Sequence, residues 1–393
     1  MEQMKAAVDS RAREYAGVAT AVSHALADDP ELGFAEHRAA KRLCRVLAEY
    51  GYSVSEGTAG LSTAFTATAG SGSLVVGICA EYDALPDIGH ACGHNVISGA
   101  AVLTAIALRP FLDELDVTLR VFGTPAEEGG GGKITMLDAG AFDELNAVLM
   151  VHPGPHDVLV PLILSMVILE VEFVGFTPPS MRPELGRSAG DAVTALQLAI
   201  GLMRQHLRMT DRLSGYIVSE GSSPNVLPAR AVLRYCVRGA DNDDLADVEQ
   251  RYRDCVAGAA LLSGTEAKVS QPYPRYDALR HDMGLGELYR ANALALGRDF
   301  PDRERDNLMR SASTDFGNVS QHVPAIHPMI GIDSGEFSNH QAEFAHFCKG
   351  EPGDRAVFDG GLAMAWTVVD AALDTQVRTS LLEGKSSREK STE

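Results

Sequence analysis

The chain has 393 residues, of which 45% are hydrophobic and 22% charged, and its 53 acidic against 34 basic residues give a formal net charge of −19. That length exceeds one ordinary core and predicts two domains, and the aliphatic content excludes a disordered or fibrous chain. The acid excess, with no local basic patch to offset it, argues against nucleic acid and anionic membranes as partners.

Residues 1–15 carry charges of both signs and lack the apolar core of a signal peptide, and no later stretch reads as the ~18 apolar residues that span a bilayer, so a cytoplasmic location is expected. Six cysteines, Cys44, Cys79, Cys92, Cys236, Cys255 and Cys348, are scattered without paired spacing. Most read as buried small hydrophobes rather than staples.

In chain order, residues 10–50 carry a helical pattern that should stop near Gly51. Strands follow at 61–68, 74–80, 117–123 and 146–151, the last three reading as buried strands and 74–80 as a continuous apolar run, with helices predicted at 97–109 and 133–139 between them. This alternation predicts a mainly parallel sheet with helices on both faces. From about 165 the pattern changes to a strand at 165–174, a helix at 188–208, strands at 214–220 and 230–238, a helix at 242–263 and a strand at 266–271. That set reads as a smaller α+β unit, 165–282, inserted into a domain made of 1–164 and 283–393. The tail supplies a helix from 283, a strand near 325–332 and a helix at 353–373, and 376–393 should fray.

The chemistry gathers at strand ends. Residues 81–95 (EYDALPDIGHACGHN) bring Glu81, Asp83, Asp87, His90, Cys92 and His94 just past the carboxyl end of a buried strand, where open α/β sheets place ligands. One glycine separates Cys92 from His94 and lets thiol and imidazole converge on one ion. A helix cap with a buried cysteine and solvent-facing histidines is the alternative there. The next strand ends in GTPAEEGGGG, where Glu127 and Glu128 can divide labour between a general base and a metal ligand; carboxylates starting a helix are the alternative. The third strand ends at His152, which alone would read as a loop residue. The segment 311–346 adds Asp315, His322, His327, His340 and His346; His340 is the best placed to return to the sheet, and the others read as loop or surface groups.

With these residues in place, the chain resembles the amidohydrolase branch of the aminoacylase and glutamate-carboxypeptidase metallopeptidase family, which includes hippurate, auxin-conjugate and p-aminobenzoyl-glutamate hydrolases. The resemblance rests on HALADDPELGFAEHRAA (24–40), AEYDALPDIGHACGHN (80–95), GTPAEEGGGG (123–132), MVHPG (150–154), SSPNVLPARA (222–231) and STDFGNVSQHVPAIHP (313–328), in matching order. It implies that Cys92, His94, Glu128, His152 and His340 bind two divalent ions, zinc first, with manganese, cobalt or nickel as alternatives. It also implies that Glu127 is the catalytic base, that Asp83 orients the cluster, and that Glu81 stands behind it. The implied reaction is hydrolysis of the amide of an N-acyl amino acid or dipeptide-like substrate by metal-activated water, in a homodimer built through the inserted lid.

The lid departs from the resemblance at one point. Where the family reads Gly-Lys-x-x-His-Ala, residues 175–192 place Phe176 for the lysine and Pro179 for a histidine that serves the substrate or oxyanion. Proline donates no hydrogen bond. A catalytically altered member, either a metal-binding pseudoenzyme or an amide-forming enzyme, is the rival expectation. Asn225 matches the family, and Arg182, Arg187, Arg238 and His206 are further polar candidates for holding substrate.

Overall fold

The computed structural model describes residues 1–221, 223–301 and 312–389, with side chains as far as 384. Ser222, Ser311 and residues 390–393 of the segments singled out above lie outside the described residues. The described chain forms two compact units: residues 1–161, 280–301 and 318–389 make the first, and 162–279 with 312–317 the second.

In the first unit the helical pattern at the amino end is two helices, α1 (Glu2–Asp28) and α2 (His37–Glu49). Pro30 forces the break, because a residue before proline is driven out of the helical region, and Asp29 accordingly sits at φ −134°, ψ 62°. Strands β1 (Ser53–Glu56), β2 (Phe65–Ala69), β3 (Leu74–Ala80), β4 (Val117–Gly123), β5 (Ala147–Leu149) and β11 (Ala325–Ile326) form one sheet in the order β1-β2-β4-β3-β5-β11. The run β4-β3-β5-β11 is parallel, and β1 and β2 join antiparallel at one edge. Helix α3 (His94–Leu108), whose every residue is buried, lies at the centre of the helical packing and touches α1 and the helix Glu351–Leu373.

The third predicted strand is shorter than 146–151. β5 ends at Leu149, and His152 belongs to β6 (His152–Gly154), which pairs in parallel with β12 (Met329–Gly331) in a separate two-stranded ladder. Two further expectations are corrected. The carboxyl-terminal stretch expected to fray is helical over Thr375–Glu389, held where Leu381 is buried and Arg378 donates to Leu115 O at 3.3 Å. The helix Glu351–Leu373 is by length and composition apolar enough to cross a membrane, but 83% of its most apolar window is buried inside the protein. Its apolarity serves the core.

The second unit is a four-stranded antiparallel sheet in the order β10-β7-β9-β8, with β7 (Ser165–Val174), β8 (Arg212–Glu220), β9 (Arg230–Gly239) and β10 (Glu266–Ser270). Helices α5 (Ala189–Arg204) and α6 (Asn242–Ser263) pack against it and each other; the short helix Gly132–Asp138 of the first unit is α4. β7 buries every second residue without exception, the period-2 signature of a sheet with one covered face. Ser188 and Asp241 cap α5 and α6, their side chains accepting from Asp191 N at 3.2 Å and Asp244 N at 2.8 Å. β8 is the exception, since all but one of its residues are exposed or nearly so and its outer edge has no strand partner among the described residues.

Candidate metal centre

Three neighbouring parallel strands, β4, β3 and β5, end on the same side, with Ala80 opposite Gly123 and Ile78 opposite Leu149. The segments leaving those ends carry the predicted cluster. Gly93, at φ +86°, turns the chain into α3 between Cys92 and His94. A Cβ there would stand 2.3 Å from Pro153 Cγ, so only glycine lets the loop lie against the strand that bears His152.

The donor atoms converge in overlapping groups. One ligand atom each from Cys92, His94 and His152 lies within 4.8 Å of the others, as do those of Cys92, Glu128 and His340, and of His94, Glu127 and Glu128. Cys92 Sγ is 3.6 Å from His152 Nε2, and His340 Nε2 is 3.4 Å from Glu128 Oε1. Cys92, His94 and Glu127 are buried, whereas the His340 side chain is half exposed.

Asp83 ties the cluster together. His94 Nδ1 donates to Asp83 O at 2.8 Å and Oδ1 at 2.9 Å, while Asp83 Oδ2 accepts from Glu128 N at 3.0 Å. Holding Nδ1 in this way fixes the tautomer and leaves Nε2 facing the cluster. His152 is fixed likewise, its Nδ1 donating to Pro153 O at 2.9 Å. Burial opposes the charged form of Asp83, but the His94 ring beside it holds the carboxyl below its usual range. Burial also opposes ionisation of Glu128, and there His340 and His94 hold the carboxyl down. Burial above all takes His152 down to about 4, so its imidazole is neutral and its lone pair available. His94 Nε2 and Glu128 Oε1 are buried with no hydrogen-bond partner among the described residues. Buried polar atoms left so are costly unless something completes them, and a thiol, imidazoles and carboxylates together suit a divalent ion.

Several supporting residues carried no sequence signal of their role. Glu36, buried among Asp83 and Thr63, accepts from Ala126 N at 2.8 Å and holds that residue at φ +57° just before Glu127. Asn339 Nδ2 donates to both Cys92 O and Pro153 O at 3.0 Å, and His340 N donates to Ala91 O at 2.9 Å, which stitches the late segment to the two earlier loops. His340 itself sits at φ +71°. His327, expected among loop or surface groups, is buried with its ring 5.5 Å from that of His152, and burial pushes its pKa well down. His322 and His346 are exposed.

The predicted lid residues all belong to the second unit. Asn225 lines an open cleft of about 890 Å3 with Pro178, Ser188, Asp191 and Glu220, and its Oδ1 accepts from Ser223 Oγ. Arg182 is exposed and paired with Glu184, His206 is exposed just past α5, and half-buried Arg238 donates to Ser313 Oγ at 3.1 Å. Arg187 and Phe176 bond to each other through their backbones, at 2.8 and 3.0 Å. Between them Pro179 is exposed in a turn, its carbonyl accepting from Arg182 N at 2.8 Å.

Comparison with known proteins places the chain in a family. Residues 77–351 match the model of peptidase family M20/M25/M40. The mouse Xaa-Arg dipeptidase is 33% identical over 98% of this chain and 91% of its own length. One of the subunits of the p-aminobenzoyl-glutamate hydrolase of Escherichia coli K12 is 29% identical over 76% of this chain and 62% of its own. Among solved structures, a dinuclear metal-binding peptidase of Bacillus subtilis from the M20 family superposes with a TM-score of 0.70 at 22% identity, covering 91% of this chain and 98% of that one. With divalent-ion donors gathered at the strand ends and a family match across most of its length, this chain belongs to the M20/M25/M40 peptidases and is a metal-dependent hydrolase of amide C–N bonds.

Proposed function

We propose that the chain hydrolyses the amide of a dipeptide-like or N-acyl amino acid substrate, with Glu127 as general base and acid. In this reading Cys92, His94, Glu128, His152 and His340 hold two divalent ions, zinc first among them because a thiolate with imidazoles suits it. Such ions, when bound, polarise the scissile carbonyl and acidify water. Glu127 takes the proton of the attacking water on a carboxylate oxygen and delivers it to the departing amine nitrogen. Asp83 keeps the His94 and Glu128 donors in register, and Glu36 fixes the bend that aims the Glu127–Glu128 pair. The observation that carries the reading is the sharing of Cys92 between two donor groups with Glu127 outside both.

The relatives' names, Xaa-Arg dipeptidase and p-aminobenzoyl-glutamate hydrolase, favour a substrate with a free amino-acid end. The test is a panel of Xaa-Arg dipeptides, N-acyl amino acids and aryl-glutamates, assayed with zinc, manganese, cobalt and nickel in turn. Turnover of at least one class is expected, and silence across the panel at full metal occupancy would overturn the proposal. Asn225, Arg182, Arg238 and His206 remain our candidates for holding that substrate from the second unit.

The same reading includes a homodimer formed at the edge of β8. That edge is long, has no strand partner among the described residues, and carries Tyr216, Ile217 and Val218 at 57%, 37% and 46% exposure. Edge strands of this kind are ordinarily covered or charged. The double variant Tyr216→Lys/Val218→Lys is expected to shift the protein from dimer to monomer in light scattering. A monomeric parent, or a variant that stays dimeric, would count against the interface.

A further inference from the structure

Two residues at the centre have no role in the mechanism above. Glu81 and Lys133 are both fully buried, and Lys133 Nζ lies 2.6 Å from Glu81 Oε1. The backbone of Glu81 is fixed as well, its carbonyl accepting from Ser98 Oγ at 2.6 Å. The second carboxylate oxygen, Oε2, is turned away from the lysine and lies 3.3 Å from His94 Nε2. Neither Oε2 nor Nε2 has a hydrogen-bond partner among the described residues, so the approach does not have the alignment of a hydrogen bond. Glu127 and Glu128 are farther from the same nitrogen, at 3.8 and 3.9 Å.

That spacing has a physical meaning. Two donors on one ion, each about 2.0–2.2 Å from it and roughly 90–110° apart, stand about 3.0–3.5 Å from one another. A lysine–glutamate pair serving only as a buried structural bridge would need its remaining lone pairs met by donors. Here the remaining oxygen faces the one nitrogen that Asp83 keeps turned toward the cluster. A cation between Glu81 Oε2 and His94 Nε2 would satisfy both atoms.

We propose that Glu81 is a further ligand of the metal centre, completing the Cys92, His94 and His152 group to four donors, and that Lys133 holds it in place. This rests on the metal reading above but is tested by binding, not by turnover. Lys133 neutralises the carboxylate before the ion arrives, which lets a further buried acid sit beside Asp83, Glu127 and Glu128 without an uncompensated charge.

The experiment measures zinc affinity and stoichiometry by competition with a chromophoric chelator, together with the visible spectrum of the cobalt-loaded protein. Glu81→Gln is expected to weaken one of the two ions at least tenfold, leaving one per chain, and to change the cobalt bands. Because Glu81→Gln turns a neutral amide toward a buried ammonium, the double variant Glu81→Met/Lys133→Met, which removes both charges at similar volume, is measured beside it and should also retain one ion. Lys133→Met alone should retain both. Two zinc ions at parental affinity in Glu81→Gln and in the double variant would overturn the proposal. So would loss of both ions with altered circular dichroism, which would make Glu81 a structural residue. A parent that binds fewer than two ions would instead refute the dinuclear reading itself.

Discussion

Glu127→Gln is expected to keep the metal content of the parent and to lower kcat by roughly 10²–10⁴-fold, the range assigned to a positioned general base. Glutamine preserves the shape and the hydrogen-bonding oxygen but cannot take a proton. Glu127 is buried, and its Oε2 is 3.8 Å from His94 Nε2, near the donors without belonging to either group that contains the thiol. Removing its charge should therefore leave the ions bound while leaving the attacking water without an acceptor. Metal analysis and turnover on the same preparation give the answer. Turnover within a few-fold of the parent would remove Glu127 from the mechanism, and loss of an ion would make it a ligand.

The second large effect concerns Cys92. It belongs to two donor groups, one with His94 and His152 and one with Glu128 and His340; His94 and Glu128 also meet in the group with Glu127, whereas His152 and His340 each belong to a single group. Cys92→Ala is expected to weaken both ions, His340→Ala only one. Losing an outer-shell partner already costs roughly 10–100-fold in metal affinity, so a shared ligand should cost more than about 100-fold. Equilibrium dialysis followed by elemental analysis should find Cys92→Ala close to metal-free and His340→Ala with one ion. Equal losses in the two variants would mean the thiol does not bridge the groups.

Part of this arrangement is legible in the sequence because the physics there is local. Residues 74–80 are apolar at every position, as a strand covered on both faces must be, and they are β3 to the residue; 117–123 is β4 to the residue, with Thr118 and Arg120 half-buried among its apolar positions. Asp241 ahead of a long apolar-periodic run marks the start of α6 at Asn242. The break at residues 29–36 is signalled by Pro30, but apolar spacing that continues on both sides of it reads as one helical pattern. That break carries Glu36, whose meaning depends on Ala126, ninety positions later in the chain. A lysine at the start of a helix, such as Lys133, ordinarily reads as solvated, and only the contact with Glu81 shows it to be buried. Its place just beyond the apolar stretch 325–332 marks His340 out from His322, His327 and His346, and the resemblance agrees, while the burial of His327 beside His152 follows only from the packing of distant segments.

The pairing of β5 with β11 carries a consequence for how the molecule is made. Val148 and Leu149 meet Ala325 and Ile326 only after the whole second unit has been synthesised, and His340 follows later still. While the ribosome is working through the inserted segment, β5 remains an open edge on an otherwise assembled sheet, the kind of edge that recruits wrong partners. Swift, independent folding of the inserted unit shortens the effective loop between the two strands and lowers the entropy of closing it. Assembly of the reactive centre is therefore among the last events of biogenesis, and a chain released early holds some of the donors without the capacity to react.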